Sequence, residues 1–253
     1  MAPPIDPGSC IVVTGASRGI GAAIAHALAS AGFEVACLSR SGALPARPDA
    51  TAQERARWHA ITADVTDAQA IAAAVALVQA KALQIVGLVN NAGLHLEGRS
   101  AEISSEHWHT VMNTNALSTL LVSQAVYPAL RARGGGLIVN LGSFFDKLGV
   151  KRNLAYCASK AAVGAITRCL AVEWAGQGIR VLDVAPGYIA TDLNAQAMGA
   201  GGPLRAYLEK RIPAGEPGSA DDVAGLVAAL FTSGATFLSG ETIYIDGAQG
   251  IAH

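Results

Sequence analysis

Tyr156 and Lys160 lie four residues apart on a predicted helix, so their side chains share one helix face. A tyrosine hydroxyl with a pKa of about 10 is a poor acid or base at neutral pH, and a neighbouring ammonium group stabilises its phenolate. Ser143 follows a predicted strand over 137–141, at the carboxyl end where ligands gather in parallel sheets, and its hydroxyl is suited to stabilise a developing alkoxide. The Tyr–Lys pair alone is more typical of surface packing, but together with Ser143 it predicts acid–base chemistry at a substrate oxygen.

A glycine-rich loop near the N-terminus predicts a nucleotide site. It follows a predicted strand and opens a predicted helix. Gly15 permits a sharp turn, Gly19 permits close approach to a pyrophosphate, and Gly21 lets helix and strand pack. Glycines often only make turns, yet this context, with free N–H groups at the helix N-terminus, favours a nucleotide. The predicted cofactor-binding residues of the loop are Gly15, Ser17, Arg18, Gly19, Ile20 and Gly21.

The residues at the end of the second predicted strand favour NADP(H) over NAD(H). An acidic residue there would bind the ribose 2′-hydroxyl of NAD and repel a 2′-phosphate. This chain instead has Ser39 and then Arg40, and Arg18 lies within the glycine-rich loop. A guanidinium group offers phosphate a bidentate pair of hydrogen bonds. Two solvated surface arginines are the alternative interpretation, and NADP(H) is the predicted cofactor.

The elements that must position these residues alternate between short β-branched runs and longer helical ones. This alternation predicts an α/β chain whose parallel sheet is covered by helices on both faces, in one domain over residues 1–253. Residues 41–57 are predicted as a surface loop, and residues 192–217 as a substrate lid rather than a variable loop. The predicted strands are 10–14, 35–38, 85–90, 137–141, 180–184 and 242–245, and the predicted helices are about 20–31, 68–82, 105–118, 119–133, 155–175 and 220–231.

Composition narrows the class of protein. The 253 residues are 51% hydrophobic and 15% charged, with a net charge of −1, which excludes a disordered chain and argues against an electrostatic nucleic-acid binder. The low charge predicts that surface is buried in an oligomer. The N-terminus lacks a signal-peptide pattern, and no apolar run is long enough for a membrane span. The cysteines form no disulfide or zinc pattern, so a reducing, cytoplasmic location is expected; they are Cys10, Cys37, Cys157 and Cys169.

With further motifs in the same order, the chain resembles the short-chain dehydrogenase/reductase family over nearly its whole length. The resemblance implies a Rossmann-type, doubly wound fold with a seven-stranded parallel sheet, usually in a tetramer or dimer. It also implies that the catalytic residues are Asn115, Ser143, Tyr156 and Lys160, where Asn115 positions a water for proton relay and Lys160 also holds the nicotinamide ribose. The motifs are Gly15-x3-Gly19-x-Gly21, Asp64-Val65, Asn90-Asn91-Ala92-Gly93, Asn115, Ser143, Tyr156-Cys157-Ala158-Ser159-Lys160 and Pro186-Gly187 with Thr191.

The resemblance places further residues around the cofactor and the substrate. Asp64 and Val65 are expected to face the adenine, and the Asn-Asn-Ala-Gly motif to line the cofactor cleft. The additional cofactor residues are Asp64, Val65, Asn91, Ala92, Gly93, Tyr156, Lys160, Pro186, Gly187, Ile189 and Thr191. The expected substrate residues are His95, Phe144, Phe145, Tyr188 and Met198, a mostly apolar wall that favours a neutral carbonyl or alcohol.

The predicted function is therefore an NADPH-dependent oxidoreductase that interconverts a carbonyl and a secondary alcohol. A 3-oxoacyl-carrier-protein reductase and a polyol or sugar dehydrogenase are alternatives, and a non-catalytic NADP(H) sensor is a remote one. Pro128 and Val172 occupy positions where basic residues would dock an acidic carrier protein, and Ala248 replaces a common glycine of the family. His107 and His109 are expected on an exposed helix face rather than at a metal.

Overall fold

Seven parallel strands form the central sheet of the protein, whose computed structural model describes residues 5–191 and 203–252. Together with a separate two-stranded pair, the described residues form nine strands, which are β1 (Cys10–Thr14), β2 (Glu34–Ser39), β3 (Trp58–Thr62), β4 (Ile85–Asn90), β5 (Gly136–Leu141), β6 (Ile179–Pro186), β7 (Ile189–Ala190), β8 (Gly218–Ser219) and β9 (Thr242–Ile245). In the sheet their order is β3-β2-β1-β4-β5-β6-β9, and β7 and β8 pair separately. The predicted doubly wound α/β fold is confirmed.

Helices cover both faces of this sheet. They are α1 (Gly19–Ser30), α2 (Ala52–Ala56), α3 (Ala68–Ala80), α4 (Ser105–Met112), α5 (Ser118–Arg133), α6 (Leu154–Trp174), α7 (Pro203–Glu209) and α8 (Ala220–Thr232). Alternate residues of β1 point to opposite faces: Ile11 joins a core with α1 and α8, whereas Val12 joins a core with α3, α5 and α6. All of β1 is buried because both faces are covered. None of the helices within the described residues is long and apolar enough to cross a membrane.

The strand order places a crevice at the carboxyl ends of β1 and β4. From β1 the chain continues to β2 on one side of the sheet, and from β4 it continues to β5 on the other side. The loops that leave β1 and β4 therefore diverge and open a cleft between them, which is the ligand-binding place in sheets of this kind. The glycine-rich loop follows β1, and the Asn-Asn-Ala-Gly motif begins at the last residue of β4.

Besides the short elements β7, β8 and α7, the sequence prediction missed strand β3 and helix α2. Strand β3 lies at the sheet edge, where only Trp58 and Ile61 are buried, so its sequence shows no regular alternation. Helix α2 lies inside residues 41–57, and the prediction of a loop there is wrong for these five residues. It begins at Thr51 with a capping box, in which Thr51 and Glu54 bond each other's backbone N–H.

The region between α4 and α5 also differs from the prediction. Two α-helices meeting at residue 118 were expected, but residues Asn113–Leu117 form a π-helical turn that joins α4 to α5 without a break. Such turns are often found at functional sites. This one carries Asn115, whose side chain is almost completely buried.

Candidate active site

The loop after β4 braces the glycine-rich loop after β1. Asn91 Nδ2 donates hydrogen bonds to Thr14 O at 2.9 Å and to Gly15 O at 3.3 Å. In return, Thr14 Oγ1 accepts from the backbone N–H groups of Asn91 and Ala92, each at 3.0 Å. A Cβ on Gly21 would lie 2.9 Å from the carbonyl carbon of Gly15 and closer still to its oxygen. Glycine at position 21 and the amide of Asn91 are therefore parts of one tightly packed unit.

The backbone of the glycine-rich loop fits a pyrophosphate. Gly15 and Gly19 have φ angles of 65° and 55°, in the left-handed region that favours glycine. Helix α1 begins after Arg18 without a side-chain cap and with no acidic residue in its first turn. Its first N–H groups and the positive end of its dipole are therefore available to an anion. The position of a Cβ on Gly19 is 3.9 Å from Thr191 Cγ2, so Thr191 lies beside the loop.

The residues expected to select the cofactor lie at the end of β2. Ser39 is buried and its hydroxyl lies 3.4 Å from that of Ser41, whereas Arg18 and Arg40 are exposed. Asp64 accepts hydrogen bonds from the backbone N–H and the hydroxyl of Thr66, which lower the pKa of this carboxyl together with the charge of Arg40. Arg40 and Asp64 are thus neighbours, and the side chain of Arg18 makes no ion pair with the residues that the structure describes.

The segment after β2 folds back over the glycine-rich loop. The N–H of Ala46 donates to Ser17 O at 3.0 Å. Arg47 then forms ion pairs with Asp49 at 2.7 Å and with Asp221, in the first turn of α8, at 2.6 Å. This segment, predicted only as a surface loop, therefore packs against the cofactor end of the cleft.

Tyr156, Ser143 and Lys160 are brought together at the carboxyl end of β5. Burial raises the pKa of the Tyr156 hydroxyl, and a hydrogen bond with the side chain of Ser143 acts in the opposite direction. Lys160 Nζ lies 5.7 Å from the centroid of the Tyr156 ring. Ser143 begins the 3₁₀ turn Phe144–Lys147, and its Oγ accepts from the N–H of Phe145 at 3.3 Å. The loop after β5 and the first turns of α6 thus assemble the predicted acid–base group.

Lys160 is a buried ammonium group next to a backbone carbonyl. Its Nζ donates to Leu141 O at 2.7 Å. Burial lowers the pKa of Lys160 to about 8, while the charge of Asp183 opposes this effect. With a pKa of about 8, Lys160 is mostly protonated at neutral pH but loses its proton far more readily than an exposed lysine. Its ammonium form is the one that stabilises a neighbouring phenolate.

Asn115 ties the loop after β4 to α6. Its Oδ1 accepts from Leu94 N at 2.8 Å, and its Nδ2 donates to Leu94 O at 2.9 Å and to Ser159 Oγ at 3.0 Å. A Cβ on Gly93 would lie 3.3 Å from Asn115 Oδ1 and 3.8 Å from Lys160 Nζ, so Gly93 lies between the two. The side chain of Asn115 is occupied by these structural bonds, and its expected role in a proton relay stays a prediction.

Aromatic side chains surround Tyr156 on the substrate side. The ring of His95 meets it edge-on at a centroid distance of 4.6 Å, and that of Phe145 at 6.0 Å. Tyr188 packs against Phe145 at 5.9 Å and against Phe144 at 5.5 Å. Four of the five expected substrate residues thus form one wall.

Only part of the predicted substrate lid lies within the described residues. Met198 and residues 192–202 of the expected lid lie outside the described residues. In the described remainder of the lid, Leu208 and Ile212 pack against Tyr188 and Ala190.

The other expected cofactor residues lie along the same edge of the sheet. Pro186 ends β6, and a Cβ on Gly187 would lie 2.7 Å from Asp246 Cα, so the turn needs glycine. Ile189 begins β7 and Val65 follows β3, and both are buried.

Sequence reasoning missed several residues of the site. Asn153 accepts from the ring of His95 through its Oδ1 and is held by its own donation to Lys151 O at 2.9 Å. Ser159 bonds Asn115, and Thr14 bonds the loop after β4. Ser159 lies inside the motif that carries Tyr156 and Lys160, and Thr14 is the last residue of the strand before the glycine-rich loop, so their positions were a usable signal. Asn153 lies outside them and is recognised only from its contact with His95.

Comparison with known proteins agrees with this geometry. A sequence profile of the family described as Enoyl-(Acyl carrier protein) reductase matches residues 15–248. D-threitol dehydrogenase from Mycolicibacterium smegmatis is 35% identical over 246 residues, which are 96% of this chain and 94% of that protein. The structure of a gluconate 5-dehydrogenase from Burkholderia cenocepacia J2315 in complex with NADP and tartrate has a TM-score of 0.87 at 29% identity, covering 98% of this chain and 97% of that chain. A short-chain type dehydrogenase/reductase from Mycobacterium marinum has a TM-score of 0.85 at 31% identity, covering 97% of both chains. This chain belongs to the short-chain dehydrogenase/reductase family.

Proposed function

We propose that the protein is an NADP(H)-dependent oxidoreductase that interconverts a neutral carbonyl and a secondary alcohol. The observation that carries the proposal is the assembly of Tyr156, Ser143 and Lys160 beside an aromatic wall at the open end of the cleft. The wall offers no charged partner for an anionic substrate among its described residues, which favours a neutral molecule.

The acid–base step follows from these three side chains. In reduction, the Tyr156 hydroxyl donates its proton to the substrate oxygen, and in oxidation its phenolate accepts the proton of the alcohol. The hydroxyl of Ser143 stabilises negative charge on that oxygen, and the ammonium of Lys160 stabilises the phenolate. NADPH supplies the hydride in the reductive direction when it is bound.

A substitution of the acid–base group tests this function. We expect Tyr156→Phe to abolish turnover and to leave the affinity for NADPH, measured by fluorescence titration, nearly unchanged. Tyr127→Phe is the matched control, because Tyr127 packs against Trp174 at the far end of α6 from Tyr156, and it should retain activity. A fully active Tyr156→Phe variant would contradict the mechanism.

NADP(H) is the proposed cofactor because two exposed arginines border the end of β2: Arg40 follows the buried Ser39, and Arg18 lies in the glycine-rich loop, which bonds this strand from Ala16 N to Leu38 O at 3.2 Å. A solved relative, the gluconate 5-dehydrogenase named above, is in complex with NADP. The double variant Arg18→Ala/Arg40→Ala should raise KM for NADPH about tenfold or more, since charge-assisted hydrogen bonds contribute about 1.5–3 kcal/mol, while KM for NADH changes little. Arg99→Ala is the control, because Arg99 is paired with Glu102 on the surface. A lower KM for NADH than for NADPH in the unsubstituted enzyme would refute the assignment.

A polyol or sugar dehydrogenase is the second candidate. His95 and Asn153 bring polar side chains to the Tyr156 end of the wall, and D-threitol dehydrogenase is a relative over nearly the full length. A carrier-protein substrate is disfavoured by Val172, which is 80% exposed where a basic residue was expected. NADP(H) turnover with a panel of cyclic ketones, diketones, polyols and acetoacetyl thioesters separates these possibilities. No turnover with any of them would favour a binding protein.

We further propose that the chain acts in the cytoplasm as a single domain that assembles into a homotetramer or homodimer. A groove of about 450 Å³ between α5 and α6 supports assembly, and all four cysteines are free, which suits a reducing compartment. Light scattering should give a mass of two or four chains, and thermal unfolding a single transition. A monomer in dilute solution would refute the assembly. The groove is lined by Leu120, Gln124, Ala165, Ile166, Cys169, Leu170, Glu173 and Trp174.

A further inference from the structure

Strand β6 carries a carboxyl group that the proposed mechanism does not use. Asp183 lies in the middle of this strand and is completely inaccessible to solvent. Its neighbours Leu182 and Val184 are buried in the apolar core. An unpaired buried carboxylate is costly, so a side chain of this kind needs a partner or a protonation change.

The surroundings of Asp183 leave room for its carboxyl group but supply only part of the hydrogen bonds that the group can accept. Oδ2 accepts from Thr242 Oγ1 at 3.2 Å, whereas Oδ1 has no hydrogen-bond partner of good geometry among the described residues. The N–H of Gly142 donates to Val184 O at 2.9 Å, yet it also lies close enough to the carboxyl group to lower the pKa of Asp183. A Cβ on Gly142 would lie 2.5 Å from Oδ1 and 2.6 Å from Oδ2, and one on Gly164 would lie 4.0 Å from Oδ2. Glycine at the end of β5 and glycine in α6 thus open the space that the carboxyl group fills.

The same two glycines bring Asp183 near Lys160, although the two side chains form no direct ion pair. Gly142 directly follows Leu141, whose carbonyl accepts from Lys160 Nζ, and Gly164 lies one helical turn after Lys160 on α6. The charge of Asp183 favours the protonated form of Lys160, and the charge of Lys160 favours the ionised form of Asp183. The two groups therefore interact reciprocally, although burial opposes the charge on each of them.

Other charged and titratable groups face Asp183 from the elements around it. Asp146, in the 3₁₀ turn after β5, repels its charge, and the pKa of Tyr244 on β9 is raised in part by Asp183. Asp146 Oδ2 in turn accepts from the Tyr244 hydroxyl at 2.9 Å. Arg168 of α6 approaches the position of a Gly164 Cβ, but its side chain is exposed. Lys160 is thus the one buried cation facing Asp183 in the part of the chain that the structure describes.

We propose that Asp183 is a positioning residue that acts through Lys160. Its buried carboxylate is the counter-charge that keeps Lys160 protonated, and Lys160 in that form stabilises the phenolate of Tyr156. The inference rests on the proposed function, because it needs Tyr156 as the acid–base group. It assigns to β6 an electrostatic role that neither the sequence motifs nor the proposed mechanism includes.

The reaction tests the proposal through its pH profile. In Asp183→Asn the ammonium form of Lys160 is less favoured, so ionisation of Tyr156 requires a higher pH. The rising limb of the pH profile of kcat/KM for alcohol oxidation should therefore move about one pH unit to higher pH. At pH values below this limb, kcat/KM should fall about tenfold, while KM changes little. Asp146→Asn is the control for loss of a nearby carboxylate, because Asp146 bonds Tyr244 rather than acting on Lys160, and it should leave the limb nearly unchanged. An unchanged limb in Asp183→Asn overturns the proposal.

A measurement without substrate or cofactor distinguishes this proposal from the proposed function. A double-mutant cycle of Asp183→Asn and Lys160→Met, read from the unfolding midpoint of the cofactor-free protein at pH 7, should show non-additive effects. Additive effects overturn the inference whatever the enzyme catalyses. Clear coupling with no activity on any substrate in the panel instead counts against the proposed function alone. If Asp183→Asn does not fold, Thr242→Val removes the side-chain donor to Oδ2 and should shift the same limb in the same direction by less.

Discussion

Adding one methyl group at position 21 should weaken both NADPH binding and the stability of the protein. A Cβ on Gly21 would lie 2.9 Å from the carbonyl carbon of Gly15 and would also press on its oxygen and on the amide of Asn91. These are backbone atoms and a side chain that already holds them, so no flexible group can give way. Gly15 must therefore move or Asn91 must release its bonds to Thr14 and Gly15.

The expected size of the effect follows from this crowding. Forcing an extra methyl group into a closely packed site costs about 1–3 kcal/mol, whereas replacing glycine by alanine within a helix gains at most about 1 kcal/mol. We expect Gly21→Ala to lose about 1–2 kcal/mol of unfolding free energy. The displaced loop should also weaken NADPH binding about tenfold or more, because 1.4 kcal/mol corresponds to a factor of ten.

Two measurements on matched variants test this expectation. NADPH affinity is measured by fluorescence titration, and unfolding free energy by chemical denaturation. Gly225→Ala is the control, since Gly225 lies in α8 and a Cβ there would meet nothing within 4 Å. It should leave NADPH affinity unchanged and keep or raise stability. If Gly21→Ala bound NADPH within twofold of the wild-type protein, the packing argument for the loop would be refuted.

Three further predictions follow from local features. Ala248 has a φ angle of 67°, where the family commonly has glycine, so Ala248→Gly should raise the unfolding free energy by about 1 kcal/mol in chemical denaturation. Ser219 caps α8 in a capping box with Asp222, and Ser219→Ala should lower the unfolding free energy by about 1 kcal/mol in the same assay, with unchanged NADPH affinity as the control. Hydrogen bonds from Ser30 and Thr51 lower the pKa of Glu54 from its ordinary 4.5 to about 2, so the stability it contributes is present above pH 4.5 and is lost as pH falls towards 2. Glu54→Gln should therefore reduce the acid-side fall of the unfolding midpoint, and an identical fall in both proteins would contradict this.

Much of the fold was accessible from the sequence because most strands are apolar on both faces and end at a recognisable motif. β1, β4 and β9 were predicted with the bounds that the structure shows. β3 was missed because its two buried residues, Trp58 and Ile61, lie three positions apart and join the cores on opposite faces of the sheet, so they show no alternation of period two. The indole of Trp58 donates a hydrogen bond from Nε1 to Ala25 O in α1, a long-range contact that no local sequence pattern reveals.

The site was predicted less completely, because some of its features depend on partners distant in sequence. The π-helical turn at Asn115 is accompanied by bonds to Leu94 and Ser159, which lie in different segments. Asp183 fell inside a predicted strand, but its proximity to Lys160 depends on the pairing of β5 with β6 and on the packing of α6 against them. Residue types could indicate the chemistry, whereas the electrostatic surroundings required the sheet.

The short segment over residues 91–95 connects the two ends of the site. Asn91 holds the glycine-rich loop at the cofactor end, Leu94 is held by Asn115, and His95 packs against Tyr156 at the reactive end. The segment leaves the carboxyl end of β4, beside β1, where the order of strand addition reverses, so it borders both halves of the cleft. A displacement of Asn91 by a bulky residue at position 21 therefore acts on the same segment that carries His95. Cofactor binding and placement of the acid–base group are consequently coupled through covalently adjacent residues, and substitutions at the cofactor end should affect kcat as well as KM for NADPH.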